Sequence, residues 1–104
     1  MIAYEVTAVT EPHLAEAYER YMRQHIPDVL ATGCFREAML AKAAAGHYRI
    51  RYEASTAEDL ERYLTIHAPR LREDARAHFP EGVTLSREVW SAIQRWDAPA
   101  EPET

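Results

Sequence analysis

Two tripeptides, His25-Ile26-Pro27 and His67-Ala68-Pro69, place an imidazole in the same local context twice along the chain. Histidine is the side chain whose ordinary pKa lies nearest neutrality, so His25 and His67 are the candidate general bases. A matched pair of imidazoles also raises the question of a metal. Neither has another ligand type four residues on, the spacing of a metal pair on one helix face, so no metal is expected. The plainer reading of each tripeptide is a helix end. Proline stops the helix, and a histidine in the last turn meets its negative pole favourably. A catalytic role would instead set His25 with Asp28, or His67 with Arg70, at the rim of a pocket.

Alternation supplies a second group of candidates. Tyr48-Arg49-Ile50-Arg51-Tyr52-Glu53-Ala54 changes character at every residue, as does the stretch from Ile2 to Val9. Residues two apart share one face of a strand. Glu5, Arg49, Arg51, Glu53 and Trp90 therefore belong to one sheet face, together with Thr7, Val9, Ser86 and Glu88. A face that is half charged and half apolar suits a solvated surface with cross-strand ion pairs. It equally suits the wall of a polar-lined cavity, where Arg49 and Arg51 supply charge to a small anionic or aromatic metabolite and Trp90 stacks on it.

Other catalytic patterns do not occur. The three glycines make no phosphate loop, and there is no nucleophile elbow. Cys34 is the single cysteine, which excludes an intrachain disulfide and a Cys-rich zinc site. Next to Phe35 at a strand start it reads as a buried, inert thiol. Trp90 and Trp96 read as core and interface aromatics. His13, His47 and His78 form no constellation, and no cofactor is implied.

The elements that must position these residues follow from periodicity. Ile2 to Val9 is a first strand, after which Thr10 caps a helix with Pro12 in its first turn. Leu14, Ala17, Tyr18, Tyr21, Met22 and His25 mark one helical face that ends at Pro27. A short turn from Asp28 closes at Gly33. Cys34 to Ala43 is an Ala-rich second strand, and Tyr48 to Ala54 a third. Ser55-Thr56-Ala57-Glu58 forms a capping box for a helix carrying Leu60, Tyr63, Leu64 and His67. Pro69 interrupts it, and a further helical stretch runs to Pro80. Val83 to Trp90 is a fourth strand.

The order β-α-β-β-α-β gives an α+β, ferredoxin-like fold: a four-stranded antiparallel sheet, spatial order 4-1-3-2, with the helices on one face. Antiparallel helices carry His25 and His67 to opposite edges of that sheet. Tyr21 to Pro27 and Tyr63 to Pro69 share the pattern Tyr, apolar, two variable residues, His, apolar, Pro, as two similar halves would. Tyr4, Val6, Tyr48, Ile50, Tyr52, Val83 and Leu85 supply the core under the helices. Residues 1–96 form the domain and 97–104 a polar, Pro-rich, flexible tail.

The 104 residues suffice for one domain with a thin core, and their net charge of -5 is spread through mixed runs such as Arg70-Leu71-Arg72-Glu73-Asp74. No basic face for nucleic acid forms. No signal peptide or apolar membrane span is present, so the expected location is cytoplasmic. A thin core and a half-polar sheet face favour self-pairing across a two-fold axis.

The stretches His25-Ile26-Pro27-Asp28-Val29-Leu30-Ala31-Thr32-Gly33-Cys34-Phe35, Tyr48-Arg49-Ile50-Arg51-Tyr52 and His67-Ala68-Pro69-Arg70-Leu71-Arg72 resemble an uncharacterised bacterial family of small proteins. The similarity covers residues 2–92 and is most specific in the first stretch. That family is similar in turn to the dimeric α/β-barrel superfamily, in which two ferredoxin-like chains pack sheet against sheet. The resemblance implies a homodimer and no assigned catalytic residues. The wider superfamily holds cofactor-free monooxygenases, haem-degrading enzymes, isomerases and ligand-binding domains. Haem-degrading members use an asparagine, and this sequence has none. The expectation is a homodimer binding a small metabolite in the barrel cavity. The alternatives are a monooxygenase- or isomerase-like enzyme using His25 or His67, and a pairing module without a ligand.

Overall fold

A computed structural model describes residues 1–100. Strands β1 (Ile2–Thr10), β2 (Glu37–Ala44), β3 (His47–Ala54) and β4 (Val83–Ser91) form one antiparallel sheet in the order β2-β3-β1-β4. Helix α1 (Ala15–Leu30) crosses from β1 to β2. Helices α2 (Ala57–Arg62) and α3 (Ala68–His78), joined by a π-helical segment at Tyr63–His67, cross from β3 to β4. The ferredoxin-like topology expected from the sequence is the one observed.

Register sorts the two sheet faces. Tyr4 pairs with Tyr52 and Val89, Val6 with Ile50 and Arg87, Ala8 with Tyr48 and Leu85. This is the helix face. Tyr4, Ala8, Tyr48, Ile50 and Tyr52 are buried there against Tyr18, Met22 and Val29 of α1 and Leu60, Tyr63, Ala68 and Leu71 of the second helical run. The helices do not reach the edge strand β4, so Leu85 and Val89 remain exposed on the face that should have been core. Trp90 and Trp96 are exposed too and belong to no core of this chain.

Several boundaries differ from the sequence reading. Helix α1 does not stop at Pro27 but continues a full turn to Leu30. Pro27 lies on the exposed side, where water can serve the Arg23 carbonyl that loses its helical partner. The extra turn buries Val29, worth about 1.5–3 kcal/mol, which offsets much of the proline penalty of about 3 kcal/mol. Thr10 ends β1, and its hydroxyl donates to the Glu11 carbonyl and caps no helix. Thr56, not Ser55, caps α2 by accepting from the Asp59 N–H at 3.1 Å. Cys34 and Phe35 are buried but precede β2.

Pro69 does not break the second helix either. The Ala68 N–H reaches the Tyr63 carbonyl five residues back, and this wide turn takes up the strain before Pro69 enters in the first turn of α3. The turn holds one more residue than an α-turn. Inward positions therefore run Leu60, Tyr63, Ala68, Leu71, and the expected inward place of His67 passes to Ala68.

Gly46 closes the β2–β3 hairpin at φ +80°, and its carbonyl accepts from the Thr10 N–H at 2.8 Å. An added Cβ there would meet the Thr10 carbonyl at 3.0 Å, so glycine is required both for the turn and for the approach. Regular structure ends at Ser91, and residues 92–100 are exposed and irregular. The expected tail covers residues 97–104, of which 101–104 lie outside the described residues. Among the described residues no helix is long and apolar enough to cross a membrane.

Candidate functional site

The gap between β4 and the helices is a cleft of about 350 Å³ on the helix face of the sheet. This lies toward the lower end of the roughly 300–1,000 Å³ typical of small-molecule sites. Its walls are aromatic and apolar: Tyr4 and Tyr52 from the sheet, Tyr18 and Met22 from α1, Tyr63 from the π segment and Phe79 just past the end of α3. Burial pushes the Tyr18 and Tyr63 phenols up to about 12, so both stay protonated at neutral pH.

His25 lines this cleft, and its surroundings bear on its chemistry. Tyr21, one turn earlier on α1, donates its hydroxyl proton to Asp74 Oδ2 at 2.6 Å. A phenol has one proton to give, so the Tyr21 oxygen, 3.2 Å from His25 Nδ1, is left to accept from Nδ1–H. That tautomer leaves the lone pair on Nε2, the arrangement a general base needs. Burial lowers the His25 pKa, partly opposed by Asp74 and Asp28, and the imidazole is neutral at pH 7. His78 joins the group from α3, its ring 4.6 Å from that of Tyr21 and its Nδ1 2.9 Å from the Asp74 carbonyl.

The cleft lining includes Arg72, Arg76 and Arg87 and not one carboxylate. Arg72 donates to the Tyr4 hydroxyl at 3.0 Å. Arg76 is paired with Glu73 at 2.6 Å, whereas neither Arg72 nor Arg87 has a carboxylate within ion-pair distance among the described residues.

The other expected site residues lie elsewhere. His67 is half-buried in the π segment and does not line the cleft. His25 and His67 belong to separate helices, and neither is in a last turn before a stop. Glu5, Arg49, Arg51, Glu53 and Trp90 share the opposite, helix-free face, as alternation indicated. Arg51 Nε stands 3.8 Å from Glu5 and 3.9 Å from Glu53, and makes no hydrogen bond. Arg49 is exposed across from Thr7 and Ala41. Trp90 and Arg51 border a small depression of about 70 Å³ with Met1 and Ala3. Among the described residues no three His, Cys, Asp or Glu side chains are grouped to hold a metal.

That face carries two like-charge cross-strand pairs. Glu37 opposes Glu53 across β2 and β3, and Glu88 opposes Glu5 across β4 and β1. A hydrogen bond with Glu37, aided by burial, raises the Glu53 pKa. The stability this shared proton gives is full below the unfolded value of 4.5 and is lost as pH rises through the folded one. Glu53→Gln should therefore raise Tm at pH 7.5 by about 2–5 °C and leave it nearly unchanged at pH 4, read by differential scanning calorimetry. An equal gain at both pH values would show that the pair does not share a proton.

Sequence reasoning missed Tyr21, Arg72, Asp74 and Arg87. Tyr21 stands four residues before His25, and Arg87 lies in the inward column of β4, so both left a signal. Arg72 and Asp74 sit in a mixed charged run that gave none.

Comparison with known proteins finds a family for the sequence and the same fold in several solved structures. The sequence profile of a domain of unknown function, DUF4286, matches residues 1–93. A candidate antibiotic biosynthesis monooxygenase from Deinococcus radiodurans superposes with a TM-score of 0.70 at 17% identity, over 96% of this chain and 100% of that one. SnoaB, a cofactor-independent oxygenase from Streptomyces nogalater, gives a TM-score of 0.70 at 13% identity, over 90% and 95%. A designed protein with a ferredoxin fold gives 0.54 at 18% identity, over 96% and 94%. No curated protein matches. At these identities the structures share the fold.

Proposed function

The chain belongs to the DUF4286 family, a domain of unknown function, and we propose that it binds a small planar metabolite in the helix-face cleft and acts on it as a cofactor-free monooxygenase. The observation that carries this reading is a neutral, tautomer-fixed His25 at the wall of an aromatic cleft. The two oxygenase-type neighbours support it at the level of fold. Without a cofactor, the substrate must itself reduce O₂, and an acidic C–H beside an aromatic ring allows this. His25 Nε2 takes the proton, the carbanion passes electrons to O₂, and the resulting hydroperoxide loses water to leave a carbonyl. One substrate and one O₂ thus give one quinone-type product and one water. Anthrone is a suitable probe. Oxygen uptake with matching anthraquinone formation, faster with protein than in buffer, is the expected result. Rates equal to buffer would remove the enzymatic reading.

The helix-free sheet face supports a second copy of this chain as the partner. It exposes Val9, Met39 and Trp90 beside its charges, and C₂ pairing is the commonest way to cover such a face. Sedimentation equilibrium should return twice the chain mass of 11.9 kDa, and a monomer at micromolar concentration would rule the pairing out. The single cysteine and the absence of a membrane helix among the described residues fit work in the cytoplasm.

A further inference from the structure

We infer that the ligand of the helix-face cleft is an anion, an aromatic or similarly planar body carrying a carboxylate, held between Arg72 of α3 and Arg87 of β4. The inference rests on the cleft being the binding site and adds the class of molecule it takes.

Charge distribution is the first support. The chain has 17 acidic and 12 basic residues of the Lys and Arg type, yet the cleft lining has three arginines and no carboxylate. A protein with a net charge of -5 that clears its acids from one concave surface has built a local positive potential there. Arg76 is neutralised by Glu73, which leaves Arg72 and Arg87.

Placement is the second. Arg87 is on the column of β4 that faces the helices, opposite Val6, where alternation would put an apolar residue. The helices do not cover β4, so the guanidinium meets the cleft and is not buried under a helix. Arg72 approaches from α3 and is oriented by its hydrogen bond to Tyr4. Both guanidiniums act on the same phenol, opposing the rise in the Tyr63 pKa, so the two charges converge on one region of the cleft. A guanidinium offers paired N–H donors that match the two oxygens of a carboxylate, and in a partly dry cleft such a bond is about twice as strong as a neutral one. Tyr4, Tyr18, Tyr52 and Tyr63 then take the apolar body.

The test compares two probes of one shape, 2-naphthoate and 2-naphthamide, by fluorescence titration of the full chain at pH 7.5. The expected result is at least tenfold tighter binding of 2-naphthoate. Arg72→Gln and Arg87→Gln should each weaken 2-naphthoate at least fivefold and leave 2-naphthamide within twofold. Arg87 is exposed, so its variant keeps the test sound even if Arg72→Gln perturbs folding. Equal or tighter binding of 2-naphthamide would overturn the anion inference and leave the cleft as the binding site. Binding of neither probe would overturn the cleft reading, and the inference with it.

Discussion

His25→Gln should lower kcat/KM for anthrone oxidation by about 10²–10⁴-fold, the range lost when a positioned general base is removed. Glutamine keeps a polar group on α1 within reach of the Tyr21 hydroxyl, so the helix should fold and the cleft should still bind the probe. In the unmodified chain the acid limb of kcat/KM should lie below pH 6.5, because burial holds the imidazole pKa under that ordinary value. The same shift has a thermodynamic counterpart of known sign. As pH falls, the unfolded chain protonates His25 first, so the stability contributed by neutral His25 is present above pH 6.5 and lost as pH drops through the folded value. Asp74 and Asp28 soften this loss, and His78 sharpens it. His25→Gln should flatten Tm between pH 5 and 7. A variant with unchanged kcat/KM would remove His25 from the chemistry, whatever its effect on stability.

Tyr48→Ala should cost about 3–5 kcal/mol, a large part of the roughly 5–15 kcal/mol that holds a domain of this size together. Tyr48 is 1% exposed at the centre of the helix face, with its ring 5.6 Å from that of Tyr18. Its hydroxyl donates to Glu19 Oε2 at 2.7 Å, and Lys42 Nζ meets the same oxygen at 2.9 Å. One side chain thus ties β3 to α1 and steadies an ion pair from β2. Tyr48→Phe separates the two contributions. It keeps the ring and should lose only about 1–2 kcal/mol. Urea unfolding of both variants gives the comparison, and equal midpoints would show that the hydroxyl, not the ring, carries the stability.

The fold was legible because each element announced itself locally. The alternation of Tyr48 to Ala54 and the 3-4 spacing from Leu14 to Met22 needed no tertiary knowledge, and their order left one topology. The prolines mislead a local rule, because what offsets each of them lies outside its own turn. Pro27 is carried through a helix by the burial of Val29, and Pro69 by a wide turn, and neither compensation is visible in a window of a few residues. The site was half legible. His25 stood out by its residue type, and the partition of Glu5, Arg51, Glu53 and Trp90 onto one face followed from the period of a strand. The cleft did not stand out, because it exists only where the helices fall short of β4. The Asp74–Tyr21–His25 chain spans two helices, and no spacing in sequence encodes that approach.

The π turn at Tyr63–His67 also bears on how this chain tolerates changes in length. An ordinary helix that loses one residue swings everything beyond it by about 100°, turning core residues toward water. Here the segment already carries one residue more than an α-helix would use. Removing an exposed member such as Ile66 would relax the wide turn to an ordinary one, with Ala68, Leu71 and Arg72 still in phase with Leu60 and Tyr63. The second helix thus contains one point where a deletion is structurally silent, a few residues upstream of Arg72 in the cleft wall.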